Sequence, residues 1–186
     1  MAKASGSRMI RNTATATFIV GLAVGLVSNN YLKGDLTSLT TVIPSPAPDG
    51  LYKVVRVVDG DTVVLLINGK NEKVRLIGVD TPETVAPGKP VGFYGHEASL
   101  FTSNLLRGEM VFIEYDKQEA GVEDRFGREL AYLYRAPDSL FVNIELLRQG
   151  YAKAYRKKSH RYSKLFEQVE SEARALHKGL WDEKER

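Results

Sequence analysis

The chain has 186 residues, room for one domain with appendages but not for two large ones. It has no cysteine, which excludes disulfides, iron–sulfur clusters, thiolate zinc sites and cysteine nucleophiles together. Of the formal net charge of +3, residues 1–50 carry +2 (Lys3, Arg8, Arg11 and Lys33 against Asp35 and Asp49), leaving +1 for residues 51–186, so attraction for phosphate must come from local clustering.

Residues 1–32 form the first segment. Lys3, Arg8 and Arg11 precede an uncharged run from Thr13 to Val27, and no acidic residue occurs before Asp35. As a helix rising about 1.5 Å per residue the run covers roughly 22 Å, short of the ~30 Å hydrocarbon core, and Ser28 to Leu32 can extend it. A signal peptide, a signal anchor and an acid-free organellar presequence all fit this pattern. The small-x-small site Ala23-Val24-Gly25 is followed by more apolar chain at Leu26-Val27, which favours an uncleaved membrane anchor. The basic flank keeps the N-terminus in the cytoplasm, so the expected location of the remainder is extracytoplasmic, anchored or secreted. Residues 33–50, rich in Ser, Thr and Pro, read as an extended linker, and the folded domain is expected over residues 51–186.

Three runs rich in Val, Ile and Leu open that domain: Leu51–Val58, Asp61–Asn68 and Glu72–Gly78, separated by Asp59-Gly60 and by Gly69-Lys70-Asn71. They predict a meander of antiparallel strands. Helices are expected over Tyr94–Leu106, Leu140–Gln149 and Arg161–His177, and two further strands over Met110–Tyr115 and Glu129–Tyr134. In the last helix Tyr162, Leu165, Phe166, Val169, Ala173 and Leu176 fall on one stripe and predict a core face. The fold class is α+β, mainly β: a five-stranded Greek-key barrel of the OB type with three helices.

Three short segments carry the chemistry. Asp61 stands in VDGDT, Arg75, Asp80, Thr81 and Glu83 in VRLIGVDTPE, and Asp124 and Arg128 in DRFGR. Carboxylates are hard ligands that suit Ca²⁺ or Mg²⁺, and a guanidinium fork can hold two phosphoryl oxygens. Together they point to phosphodiester hydrolysis. Asp59 reads as an ordinary turn-former. Pro82 holds Thr81 extended, so a carboxylate at 80 and a carbonyl at 81 can face one cation. His96, His160 and His177 lack metal-ligand spacing.

These motifs, with YGHEAS (94–99), LAYLY (130–134) and GLW (179–181), resemble the staphylococcal nuclease family over about Leu51 to Trp181. The resemblance implies Ca²⁺ held by Asp61, Asp80 and Thr81, water activation by Glu83, and a scissile phosphate gripped by Arg75 and Arg128. It implies substrate contacts from Lys89, Tyr155 and Lys157. Phe126 stands where the best-known member type has tyrosine, and Lys157 stands near a second tyrosine position. The activity implied is Ca²⁺-dependent cleavage of DNA and RNA with low sequence specificity, leaving 3′-phosphate ends, by a monomer that prefers single strands. The cluster YAKAYRKKSHRY (151–162) adds cations among tyrosines, the composition of a single-strand surface. The alternatives are an inactive nucleic-acid-binding barrel tethered to a membrane and a tethered scaffold with a vestigial site. Intact acids and arginines weigh against both.

Overall fold

A computed structural model describes residues 49–84, 88, 90–117 and 120–182. The N-terminal segment, residues 33–48 of the linker and Lys89 lie outside the described residues. Among the described residues no helix is long and apolar enough to cross a membrane.

Strands β1 (Gly50–Asp59), β2 (Thr62–Ile67) and β3 (Lys70–Leu76) form the expected antiparallel meander. The β2–β3 turn sits at Asn68-Gly69, with φ of 50° and 77°, and not at Gly69–Asn71. Asn-Gly with both residues left-handed matches the twist of a two-residue hairpin, which pairs Ile67 with Lys70 and begins β3 earlier than the sequence suggests. The short β4 (Val79–Asp80) follows, then helix α1 (Gly95–Leu106), β5 (Met110–Glu114), β6 (Glu129–Arg135) and β7 (Leu140–Phe141). Helix α2 (Val142–Arg148), β8 (Lys153–Ala154), helix α3 (Ser163–Ala175) and a 3₁₀ turn (Gly179–Trp181) complete the order.

The main sheet runs β3-β2-β1-β5-β6-β7, and a parallel pairing of β3 with β6 closes its first five strands into a barrel. Val63, Leu65, Val74, Leu76, Val111, Ile113, Ala131 and Leu133 fill the interior. Full burial of such a side chain contributes roughly 1.5–3 kcal/mol. The α3 stripe buries Phe166, Val169 and Ala173 as expected, whereas Leu176 lies past the helix end and is exposed. Glu170, on the buried side of α3, is fully enclosed and paired with Arg156 and Arg174.

Closure decides where the site falls. Register places Leu130 opposite Arg75, so Arg128, two residues earlier, approaches the same side of the sheet as Arg75. A two-stranded ribbon of β4 and β8 pairs Asp80 with Lys153, bringing the C-terminal third of the chain to the Asp-Thr-Pro segment.

Candidate active site

Asp61 occupies the β1–β2 turn and is buried. Its Oδ2 accepts hydrogen bonds from the Thr81 N–H at 2.9 Å and the Thr81 hydroxyl at 3.0 Å, and meets Arg75 Nη1 at 2.7 Å. Its Oδ1 accepts from the Thr62 hydroxyl at 3.0 Å, which leaves that oxygen a lone pair. Arg75 also donates from Nη1 to the Val79 carbonyl at 3.0 Å and from Nη2 to Asp80 Oδ1 at 3.3 Å. One guanidinium therefore bridges both aspartates.

Glycine permits this packing. A Cβ at Gly60 would lie 2.8 Å from Thr81 Cγ2 and Oγ1, so only a residue without one lets the β1–β2 turn touch Thr81. Gly60 is itself clamped. Its N–H donates to Asp59 Oδ1 at 2.8 Å, and its carbonyl accepts from the buried Thr102 hydroxyl at 2.7 Å.

Asp59 is more than a turn-former. Buried, it also accepts from the Thr84 hydroxyl at 2.8 Å, which ties the segment carrying Glu83 to the β1–β2 turn. Burial raises its carboxyl above the ordinary range, and the charges of Asp61 and Glu83 add to the rise against the two hydrogen bonds. Asp80 is likewise raised, first by burial and then by Asp61, with Arg75 opposing. Arg75 thus offsets part of the charge of the two aspartates, and burial disfavours the charged form of Asp80. Two carboxylates and the Thr81 carbonyl make an all-oxygen donor set, which fits a hard divalent cation better than a soft one. Glu83 is exposed two residues beyond Thr81, its carbonyl fixed by the Gly92 N–H at 2.9 Å.

Arg128 is held by Asp124. Oδ2 of Asp124 accepts from Nε at 2.7 Å and Nη2 at 2.6 Å, and Oδ1 accepts from the backbone N–H of Arg128 at 3.1 Å and of Phe126 at 2.8 Å. Burial pushes the Asp124 carboxyl up, but these donors outweigh it and hold the group below the usual range. Asp124, four residues before Arg128 in the DRFGR motif, is the residue that holds this guanidinium. Phe126 is 68% exposed, with the guanidiniums of Arg125 and Arg128 at 4.7 and 5.4 Å from its ring centre.

Arg75 and Arg128 line one cavity of about 490 Å³ with Phe126, Tyr155 and Lys157. Its far wall reaches the barrel through the Tyr155 N–H to the Gly78 carbonyl at 2.9 Å. The expected basic cluster around this wall is largely structural. Arg156 pairs with Glu170, Arg161 with Glu114, Lys158 donates to the Ala120 carbonyl, and His160 is buried against Tyr132. Lys157 alone of the three consecutive cations 156–158 has no such protein anchor among the described contacts.

A closed OB-type barrel that gathers acids, a threonine and two arginines at one end is the architecture of a phosphoryl-handling hydrolase. Residues 73–183 match the family described as Staphylococcal nuclease homologue. The thermonuclease of Staphylococcus hyicus is 44% identical over 138 residues, covering 74% of this chain and 79% of the relative. The thermonuclease of Staphylococcus intermedius is 36% identical over 176 residues, 93% of this chain and 99% of the relative. Endonuclease YncB of Bacillus subtilis is 37% identical over 128 residues, 68% of this chain and 59% of the relative. The chain belongs to the staphylococcal nuclease family and is a nuclease-type hydrolase.

Proposed function

We propose that the protein is a Ca²⁺-dependent nuclease that hydrolyses DNA and RNA with low sequence specificity and leaves 3′-phosphate ends. The observation that carries the reading is the bridging of Asp61 and Asp80 by Arg75, while Arg75 and Arg128 line one cavity. Asp61, Asp80 and the Thr81 carbonyl would hold the cation, which when bound supplies positive charge to a phosphoryl oxygen and acidifies water.

Glu83 takes a proton from the attacking water as its oxygen bonds to phosphorus. The bond from phosphorus to the 5′ oxygen breaks on the opposite side, and that oxygen departs with a proton from solvent or a donor group. Arg128, aligned by Asp124, directs its remaining N–H groups at the equatorial oxygens, where charge builds. Arg75 keeps an Nη2 hydrogen and its Nε–H for the same oxygens. Tyr155, 36% exposed, offers a stacking face, and Lys157 a cation. Lys89 belongs to the same proposal as a phosphate contact. A ring beside a cation favours single strands, whose bases are free to stack. The chain is proposed to act as a monomer.

Delivery across a membrane on the N-terminal segment completes the reading. The support is the basic flank ahead of the Thr13–Val27 run and the Pro-rich linker behind it. Protease added to intact cells should digest the nuclease domain; a protected, cytosolic full-length chain overturns export.

The activity test incubates the full chain with single-stranded DNA and with RNA, in Ca²⁺ or in chelator. Cleavage that requires Ca²⁺, with ends that a polymerase extends only after phosphatase treatment, is expected. Cleavage that persists in chelator, or 5′-phosphate products, overturns the proposal.

A further inference from the structure

A second cavity, of about 530 Å³, opens beside the proposed cation ligands Asp80 and Thr81, and the reading above gives the rest of its lining no role. Asp80, Thr81, Pro82, Phe93, Lys153 and Leu180 line it. Its volume falls within the roughly 300–1,000 Å³ of small-ligand clefts. The two cavities share no lining residue and flank the β4–β8 ribbon. Val79 and Tyr155 line the first, while the cross-strand pair Asp80 and Lys153 lines the second.

The chemistry of the second cavity repeats that of the first. Phe93 is 44% exposed at its rim, and Lys153 stands on the facing strand. Lone exposed apolar residues need no explanation, but this ring is the outer member of an aromatic ladder. Phe93 lies 5.8 Å from Tyr94, Tyr94 stacks on Tyr151 at 5.5 Å, and Tyr151 stacks on Phe101 at 4.3 Å. The ladder is anchored in α1 and in the chain entering β8. Phe93 is thus a supported, partly exposed ring lining the same cavity as a cation, and ring plus cation is the pairing that holds single-stranded nucleic acid.

We infer that this cavity is a second nucleotide subsite. One base stacks on Phe93, Lys153 draws the adjoining phosphate, and the strand crosses Asp80 with a nucleotide on each side of the ribbon. The inference rests on the proposed nuclease function and extends it: the preferred substrate is an unpaired strand spanning both cavities, not a mononucleotide.

Trp181, the sole tryptophan, has Lys153 Nζ 6.0 Å from its ring centre and follows Leu180 of the cavity wall, which makes its fluorescence a local probe of this cavity, while calorimetry gives the affinity of a ligand in either cavity. The full chain is titrated in chelator with thymidine 3′,5′-bisphosphate and with octathymidylate. Phe93→Ala is expected to weaken octathymidylate about tenfold, on the scale of one lost stacking contact, and the bisphosphate less than threefold. Phe93→Tyr should restore the octamer affinity. Lys153→Ala should lower the salt slope for the octamer by about 0.7, as expected for one phosphate contact to a single strand. Equal effects of Phe93→Ala on both ligands, or none on either, overturn the subsite. A parent chain that binds octathymidylate tenfold better through Phe93 yet never cuts it refutes the proposed reaction and leaves the subsite standing.

Discussion

Gly60→Ala tests how closely the β1–β2 turn and the Asp-Thr-Pro segment depend on each other. The new Cβ would stand 2.8 Å from Thr81 Cγ2 and Oγ1 and 2.9 Å from its Cβ. Ordinary contact begins near 3.4 Å, so one side must retreat by roughly 0.6 Å or more. Gly60 cannot easily give, because Asp59 holds its N–H and Thr102 its carbonyl. Thr81 must move, and its two hydrogen bonds to Asp61 oppose that movement. Overpacking of this kind costs about 1–3 kcal/mol of stability. Displacing a proposed ligand by most of an ångström should lower kcat/KM about 10- to 100-fold, since a 1 Å misplacement can cost about a hundredfold. The Ca²⁺ concentration for half-maximal rate should rise with it. Urea unfolding gives the first quantity, and initial rates on single-stranded DNA across a Ca²⁺ series give the other two. A variant within threefold of the parent in rate, with an unchanged Ca²⁺ midpoint, refutes the reasoning even if its stability falls.

Glu83→Gln should fold normally and lose at least about a hundredfold in kcat, the scale of a general base; circular dichroism and single-turnover rates check both. Arg128→Lys should be comparably damaging, because an ammonium cannot both sit on Asp124 and present a planar pair of donors to phosphate; activity within a few-fold of the parent refutes that role. Asp124→Asn should cost about 1–2 kcal/mol at pH 7, the worth of charge-assisted hydrogen bonds. Asp124 is depressed in the fold, so its contribution is present above the ordinary carboxylate pKa and lost as pH falls through the folded value. Urea midpoints of parent and variant should therefore converge as pH drops below about 4. Lys157→Ala should raise KM and reduce its salt dependence, whereas Arg156→Ala should lower stability, by about 1 kcal/mol or less given its half-exposed side chain, by leaving buried Glu170 to Arg174 alone; KM and urea titrations separate the two.

The barrel strands were legible because their apolar runs are interrupted by glycine-bearing turns, and the candidate site residues could be named because they cluster in short motifs. Two-residue ladders such as β4, β7 and β8 carry no period and were not read, although the β4–β8 pairing is what delivers Lys153 to Asp80. The basic stretch 151–162 reads as more open than the structure makes it, for a definite reason. Its partners lie far along the chain, Glu170 14 residues from Arg156 and Glu114 47 residues from Arg161, so a window of sequence displays the cations without the acids that neutralise them. Asp59 was undervalued likewise, since Thr84 stands 25 residues on. Local pattern reports which residues can do chemistry; the pairing of charges depends on topology.

The wall of the first cavity also completes the charge balance of the barrel. Glu114 and Asp116 are buried on the barrel, and their hydrogen-bond donors include the side chains of Tyr162 and Arg161 and the backbone N–H of Arg161, at 2.7 Å from Asp116. Until residues 155–162 dock, two carboxylates lack part of their compensation and the substrate cleft lacks one side. The same docking therefore compensates two buried carboxylates and supplies one wall of the first cavity, so the charge balance of the barrel and the shape of the cavity are built by one segment.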